Sequence, residues 1–333
     1  MSLMRNDKID FVVTWVDGSD SAWLDERKKY QDTKDGEAIG ANRFRDWGLL
    51  KYWFRGVEKF APFVGNVYFV TYGHVPTWLN IDCPRLKVVR HQDFIPKQYL
   101  PTYNSVAIEL NLHRIKGLSE EFVYFNDDMF LIKEISEKTF FENGRAKYNF
   151  VESAMASYGG INRLYRDMLL NTNEVINRNF KKKPIKNLSL KDRNTFVNNL
   201  KAIGFGKYIG FSSHHSAHAF LKSTFEEIWK KEQEELERTC MEKFRTADII
   251  TPDVIELWQA CAGITCNYNS KWVEKYYNIG IDSISKIKND LEEQRYKIMC
   301  LNDECGDDRF EKTQKELVKS FEKILNEKSQ FEK

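Results

Sequence analysis

The stretch FVYFNDDMFLIKE, Phe122 to Glu134, sets two adjacent carboxylates, Asp127 and Asp128, between apolar and aromatic runs. Taking an ion out of water is costly, so such a pair persists inside a protein only when it is paired, hydrogen-bonded or bound to metal. One reading is a site for a hard dication, Mg2+ or Mn2+, which takes one or two carboxylates from protein and fills its remaining positions with water and substrate phosphate. The other is an exposed Asn-Asp-Asp turn joining two strands. A second acidic loop, Asp17-Gly18-Ser19-Asp20, follows the apolar run IDFVVTWV, Ile9 to Val16. Asp17-Gly18 is a turn pair and Asp20 can cap a following helix, whose N-terminus would aim backbone N–H groups at a diphosphate.

Positive charge and histidine complete the chemical inventory. Arg43 and Arg45 follow a polar, Gly-containing stretch, Gln31 to Asn42, and could clamp phosphate with their planar forks or sit solvated at a helix start. Arg114 follows His113 near a helix end, where a cation also complements the helix dipole. The segment SSHHSAHAFLK, Ser212 to Lys222, concentrates histidine; read as a helix, it puts His215 and His218 on one face with Lys222 a turn further on. Histidine titrates near neutrality, which suits a general acid or base. A zinc site there lacks an evident third ligand. Arg245, in KFRTADIITPD, either pairs with Asp248 or reaches phosphate.

These residues need elements to position them. Strands are expected at Ile9 to Val16, Val67 to Thr71, Leu86 to Arg90 and Phe122 to Phe125, alternating with helices at Ser21 to Tyr30, Arg43 to Phe60 (ending before Pro62) and Ser105 to Ile115. That alternation implies an α/β fold with a mixed, at least partly parallel sheet flanked by helices. Ligands collect at the carboxyl ends of such strands, which would bring the two acidic loops together. Beyond Asn149 the pattern turns helical: Phe220 to Glu237 reads as an amphipathic helix, Pro252 begins another, and Ser283 to Glu332 reads as charged helices. Asn179 to Asn194 is a basic connector.

Composition bounds the rest. The chain has 333 residues with 42% hydrophobic content, ample for a large core, and 51 basic against 49 acidic residues leave a net charge of +2. That balance gives no reason to expect a nucleic-acid partner. No apolar run of 18 residues and no signal-like start is present, so no transmembrane segment is expected and the cytoplasm is the default compartment. The six cysteines form no CxxC pair, so reduced structural thiols are expected.

Taken together, the blocks IDFVVTWVDGSD (Ile9 to Asp20), RFRDWGLLKYWFRGVEKFAP (Arg43 to Pro62), VYFVTYGHVPTWLN (Val67 to Asn80), LPTYNSVAIELNLHRIKGLSEEFVYFNDD (Leu100 to Asp128), HSAHAFLK (His215 to Lys222) and FRTAD (Phe244 to Asp248) resemble the Stealth family of sugar-1-phosphate transferases. This family includes bacterial capsular polysaccharide phosphotransferases and the catalytic subunit of the lysosomal-enzyme N-acetylglucosamine-1-phosphotransferase. A tail similar to CLNDE and EKSQFE extends the likeness over nearly the whole chain. Ala217 stands where the family usually has Pro, and Tyr72 where it commonly has Asn.

The resemblance implies a nucleotide-sugar-transferase-like, Rossmann-like fold. It divides the chain into an α/β nucleotide-sugar and metal-binding core (1–150), a helical insertion with a second catalytic segment (151–270) and a C-terminal helical region (271–333). It implies transfer of a hexose-1-phosphate from a UDP-sugar donor to a glycan hydroxyl, releasing UMP, in capsular or exopolysaccharide synthesis. The competing readings are a metal-dependent UDP-sugar glycosyltransferase releasing UDP, and a non-catalytic nucleotide-sugar or glycan binding module. In the first reading Asp127 and Asp128 hold Mg2+ or Mn2+; Thr14, Asp17, Gly18 and Asp20 border the nucleotide-sugar; and Arg43, Arg45 and Arg245 hold developing negative charge. His215, with His218 second, is the general base or acid, while Asn104, Glu109, His113 and Arg114 line the sugar side. Peripheral association with capsule-assembly machinery at the inner face of the membrane would follow.

Overall fold

The computed structural model describes residues 8–31, 45–154, 163–182, 202–212, 215–268 and 273–333, with isolated positions 197, 200 and 270. Arg43, the stretch 32–42 and the greater part of the basic connector, 183–194, lie outside the described residues.

Strand β1 (Asp10–Trp15) leads through the Asp17–Asp20 turn into helix α1 (Ser21–Lys28); α2 (Leu50–Phe60), β2 (Val67–Thr71), β3 (Leu86–Arg90), the short α3 (His91–Phe94), α4 (Ser105–Leu110) and β4 (Glu121–Asn126) follow. β1 to β4 lie parallel in the order β3-β2-β1-β4. Each central strand alternates sides as the pleat demands. Phe11, Val13, Phe69, Val123 and Phe125 enter one hydrophobic cluster, and Val12, Tyr68, Val70, Phe122 and Tyr124 enter the cluster on the opposite face. The sheet is therefore buried on both sides, as parallel sheets are. Strand order reverses between β1 and β4, and Thr14 lies level with Asn126, so the crevice of the switch point opens beside Asp127.

Asp127 and Asp128 form a tight turn into β5 (Met129–Leu131), which leaves the main sheet. The stretch is the turn of the second reading, and it sits at the crevice. β6 (Phe141–Glu142), β7 (Arg145–Tyr148), α5 (Arg163–Asn179), β8 (His218–Leu221), α6 (Lys222–Lys231), α7 (Gln233–Met241), α8 (Val254–Ala262), β9 (Thr265–Asn267), β10 (Glu274–Ile279), α9 (Ile284–Glu292), β11 (Ile298–Asp303) and α10 (Asp307–Ile324) complete the chain. β8 pairs antiparallel with β4, giving the mixed five-stranded sheet.

Two expectations for the second half change. The helix expected over Phe220 to Glu237 is a strand followed by two helices, because His218–Leu221 satisfies the backbone of the β4 edge and α6 breaks at Glu232. The segment expected as charged helices contains β11, which pairs parallel with β10 and antiparallel with β5. One hydrophobic cluster runs from Ile9 to Phe331, and the tail locks onto α2 through Arg55, whose Nε and Nη2 donate to Glu332 at 2.9 Å each. α2 is buried on nearly every side, and it approaches β5 so closely at Gly56 that a Cβ there would lie 2.6 Å from the Leu131 carbonyl oxygen.

Candidate active site

Two cavities of about 370 and 650 Å3 meet at the carboxyl end of β4. Asn126, His215, Arg245, Asn302 and Glu304 line both, so the pair forms one cleft with two lobes. The smaller lobe contains Asp127 and Asp128 with Trp15, Trp47, Tyr103 and Phe244; the larger contains Glu109, His218, Asp253, Glu274 and Tyr276.

The Asp pair sits at the centre of this arrangement. Asp128 Oδ2 lies 3.4 Å from His215 Nε2 and 3.4 Å from Cys300 Sγ, while its Oδ1 is buried with no hydrogen-bond partner. Burial acts to raise the Asp128 pKa, but the hydrogen bonds from His215 and Cys300 hold it below the ordinary carboxylate value. Asp127 lacks such side-chain hydrogen bonds: the surrounding protein, then the Asp128 and Asp46 carboxylates, push it up to about 7, against a smaller pull from a backbone hydrogen bond and His215. Two crowded carboxylates, one with an orphaned oxygen, fit a hard dication, since Asp128 can give Oδ1 to a metal while Oδ2 keeps His215. Cys300 reaches the site by register: it pairs with Met129, the residue after Asp128.

His215 stands on the loop before β8, with Tyr276 edge-on to its ring at 5.9 Å. The helix expected to carry His215 and His218 on one face is absent; His218 belongs to β8, stacked on Phe220 and Tyr124. Burial lowers the His218 pKa, but Glu256 Oε1 at 3.0 Å from Nδ1, with Asp253 and Glu109 beyond, outweighs it and lifts the pKa to about 9. That shift favours the protonated form of His218 at neutral pH, which suits an acid better than a base. Arg245 lines both lobes and donates to the Ser105 hydroxyl instead of pairing with Asp248. Glu109, projecting from α4, is buried in the larger lobe; burial lifts it to about 7, partly offset by Arg245, His218 and His215.

Several expected ligands make contacts within the fold. Arg45 lines the smaller lobe, but its Nε and Nη2 bind both oxygens of Asp303 at 2.9 and 2.7 Å, Nη2 also reaches the Cys305 carbonyl, and Nη1 reaches Asp307. A fork engaged this fully ties down the end of β11. Asp20 caps α1 through the Trp23 N–H at 2.7 Å, and Asp17 accepts from the Ser19 N–H and hydroxyl. The Asp17 N–H donates to His74 Nδ1, which draws this loop toward β2; Asp17, Gly18 and Asp20 line neither lobe, and Trp15 and Val16 face the cleft in their place. Thr14 also lies off the lobes, but its hydroxyl meets Tyr124, whose OH donates to Asn126 Oδ1 at 2.6 Å, so it sets Asn126 from behind.

Asn104 is fully buried, caps α4 through the Val106 N–H and donates to the Thr239 and Glu242 carbonyls. His113 is sandwiched between Phe225 and Trp229, where burial and the Arg114 charge push its pKa down to about 3, and Arg114 lies over Trp229 at 4.6 Å. Neither lines the cleft: the 3-10 turn Leu112–Arg114 that ends this segment faces α6, not the sheet edge. Sequence reasoning missed Glu274 and Tyr276 on β10, Asn302 and Asp303 on β11, and Glu304 just after it. IMCLND opens with four apolar residues and shows no alternation, so its local pattern gave no signal that set the strand apart from a helix. Tyr72, one of the two unusual positions, hydrogen-bonds Glu26 and stacks on Tyr103, a wall of the smaller lobe.

Among the described residues, no helix is long and apolar enough to cross a membrane.

Comparison with known proteins follows the same outline. Residues 7–35 match Stealth protein conserved region 1 and residues 43–148 match conserved region 2. The chain is 37% identical to the capsular polysaccharide phosphotransferase WcwK of Streptococcus pneumoniae, with 99% of this chain and 100% of that one aligned. It is also 37% identical to the exopolysaccharide phosphotransferase cps2G of Lactiplantibacillus plantarum, over 98% and 96% of the two chains. The solved galactosyltransferase LgtC superposes over 92% of this chain and 95% of its own, at 10% identity and a TM-score of 0.41, too distant to carry an argument about function. Near-full-length identity of this kind, together with both conserved regions, places the chain in the Stealth family of polysaccharide phosphotransferases.

Proposed function

We propose that this enzyme moves a hexose-1-phosphate from a UDP-sugar to a glycan hydroxyl in capsular or exopolysaccharide synthesis, with the diphosphate in the smaller lobe and the acceptor in the larger. The observation that carries this reading is the meeting of Asp127-Asp128, His215 and Arg245 where the two lobes join. His215, its Nε2–H held by Asp128 Oδ2, takes the proton of the acceptor hydroxyl on Nδ1, and the hydroxyl oxygen attacks the β-phosphorus. The bond from that phosphorus to the bridging oxygen breaks, UMP leaves, and a sugar-phosphate-sugar diester remains.

Phosphoryl transfer asks little covalent help of the protein; positioning and charge neutralisation supply most of the acceleration. Arg245, held by Ser105, would offer its other N–H groups to the equatorial oxygens. Asp128 Oδ2 orients His215. Asp127 and Asp128 Oδ1 would hold Mg2+ or Mn2+, which when bound neutralises the diphosphate. The flat faces of Trp15, Trp47, Tyr103 and Phe244 suit a nucleobase and a sugar ring. The reading puts the reaction in the cytoplasm.

Incubating the protein with a panel of UDP-sugars, a glycan acceptor and Mg2+ or Mn2+ tests it. A phosphodiester signal by phosphorus NMR together with UMP release is expected; release of UDP without a diester would make the enzyme a glycosyltransferase instead.

A further inference from the structure

Asp128, His215 and Cys300 bring a carboxylate oxygen, an imidazole nitrogen and a thiol sulfur within 4.8 Å of one another. The helix pattern once pointed to His215 and His218 as a histidine pair short of a third ligand; the fold sends His218 to Glu256 and supplies Cys300 from β11 instead. We infer that this trio is a binding site for a thiophilic dication such as Zn2+, distinct in chemistry from a hard-metal site on the carboxylates, and that filling it shuts the enzyme down. The inhibitory half of this inference rests on the proposed roles of Asp128 and His215; the binding half does not.

Geometry supports a tetrahedral ion. With zinc bonds of about 2.0–2.3 Å, neighbouring ligand atoms sit roughly 3.3–3.8 Å apart. The His215–Asp128 and Cys300–Asp128 separations are both 3.4 Å. The third edge closes by rotation of His215, which is 43% exposed on its loop, whereas Cys300 is held by β11. Three protein ligands leave one position open to the cleft. Zinc outranks Mn2+ at mixed nitrogen, oxygen and sulfur sites, and Mg2+ avoids sulfur altogether. Binding displaces the thiol proton to solvent, so one proton is released per ion, and it removes the His215 lone pair that the acceptor hydroxyl requires.

Cobalt is the probe. Titrating the full chain with Co2+ should produce a near-ultraviolet sulfur-to-cobalt charge-transfer band with one proton released, and Zn2+ should bleach it. Cys300→Ser should abolish the band and weaken zinc by on the order of 100-fold; His218→Gln should retain it. Zinc should inhibit UMP release, scored for each variant against its own magnesium-supported rate. Should the Cys300 variants fail to fold, His215→Ala, on an exposed loop, must still lose affinity for cobalt. A band that survives Cys300→Ser, or cobalt bound with no band at all, overturns the site. A normal cobalt titration in a protein that releases no UMP from any donor would leave the metal site standing and defeat the functional reading instead.

Discussion

Replacing Arg45 with alanine separates the phosphate clamp suggested by its position from the structural clamp seen in the fold. Its guanidinium binds both oxygens of Asp303, and the two side chains are only 16% and 11% exposed. Losing one partner of a buried pair typically costs about 3–5 kcal/mol. Asp303 keeps two other donors, the Trp47 indole and the Cys305 N–H, both at 2.9 Å, so a loss of about 2–4 kcal/mol is the better expectation. In a chain of this size that corresponds to a fall in Tm of roughly 3–6 °C. The decisive assay is a double-mutant cycle with Asp303→Ala, read by urea unfolding. A structural pair gives a coupling energy of at least about 1 kcal/mol, whereas independent residues add to within roughly 0.5 kcal/mol. If the two substitutions simply add, Tm is unmoved and donor KM rises on the order of tenfold or more, the clamp holds substrate and the structural reasoning fails.

Two further outcomes follow from the site. His215→Ala should lower kcat by about 10²–10⁴-fold with donor KM little changed, measured as UMP release, because a base acts in the transition state and not in donor binding; a rate within threefold of the parent would remove His215 from the chemistry. His218, whose folded pKa is raised to about 9 by Glu256 against the pull of burial, stabilises the fold fully below its unfolded value and loses that contribution as pH climbs through about 9. The gap in Tm between the parent and His218→Gln should accordingly be widest near pH 6 and shrink by pH 10; a gap that grows with pH would reverse the assignment.

The parallel core was legible because its residues obey local rules. IDFVVTWV and VYFVT are apolar enough to be buried on both faces, Pro62 stops α2, and Asp20 caps α1 as its position before the helix suggests. The acidic turn could be recognised for the same reason: two adjacent carboxylates inside an apolar stretch are costly wherever they fall. Elements that depend on distant partners were not legible. β11 is a strand because it completes the edges of β10 and β5, and nothing within IMCLND itself distinguishes that from a helix. His218 joins β8 because β4 presents an unpaired edge, and no neighbour in sequence announces Glu256.

The kinds of groups present, acid pair, histidines and arginines, follow from composition and short-range pattern, which record what each residue can do in isolation. Which of them converge follows from contacts across more than a hundred residues. Such contacts brought Cys300 to Asp128, Arg45 to Asp303 and Glu274 into the larger lobe, while they took His113 and Arg114 away to the far layer. Charge and hydrogen-bonding capacity are written residue by residue, but a pKa or a ligand set belongs to a neighbourhood, and neighbourhoods exist only once the sheets have closed.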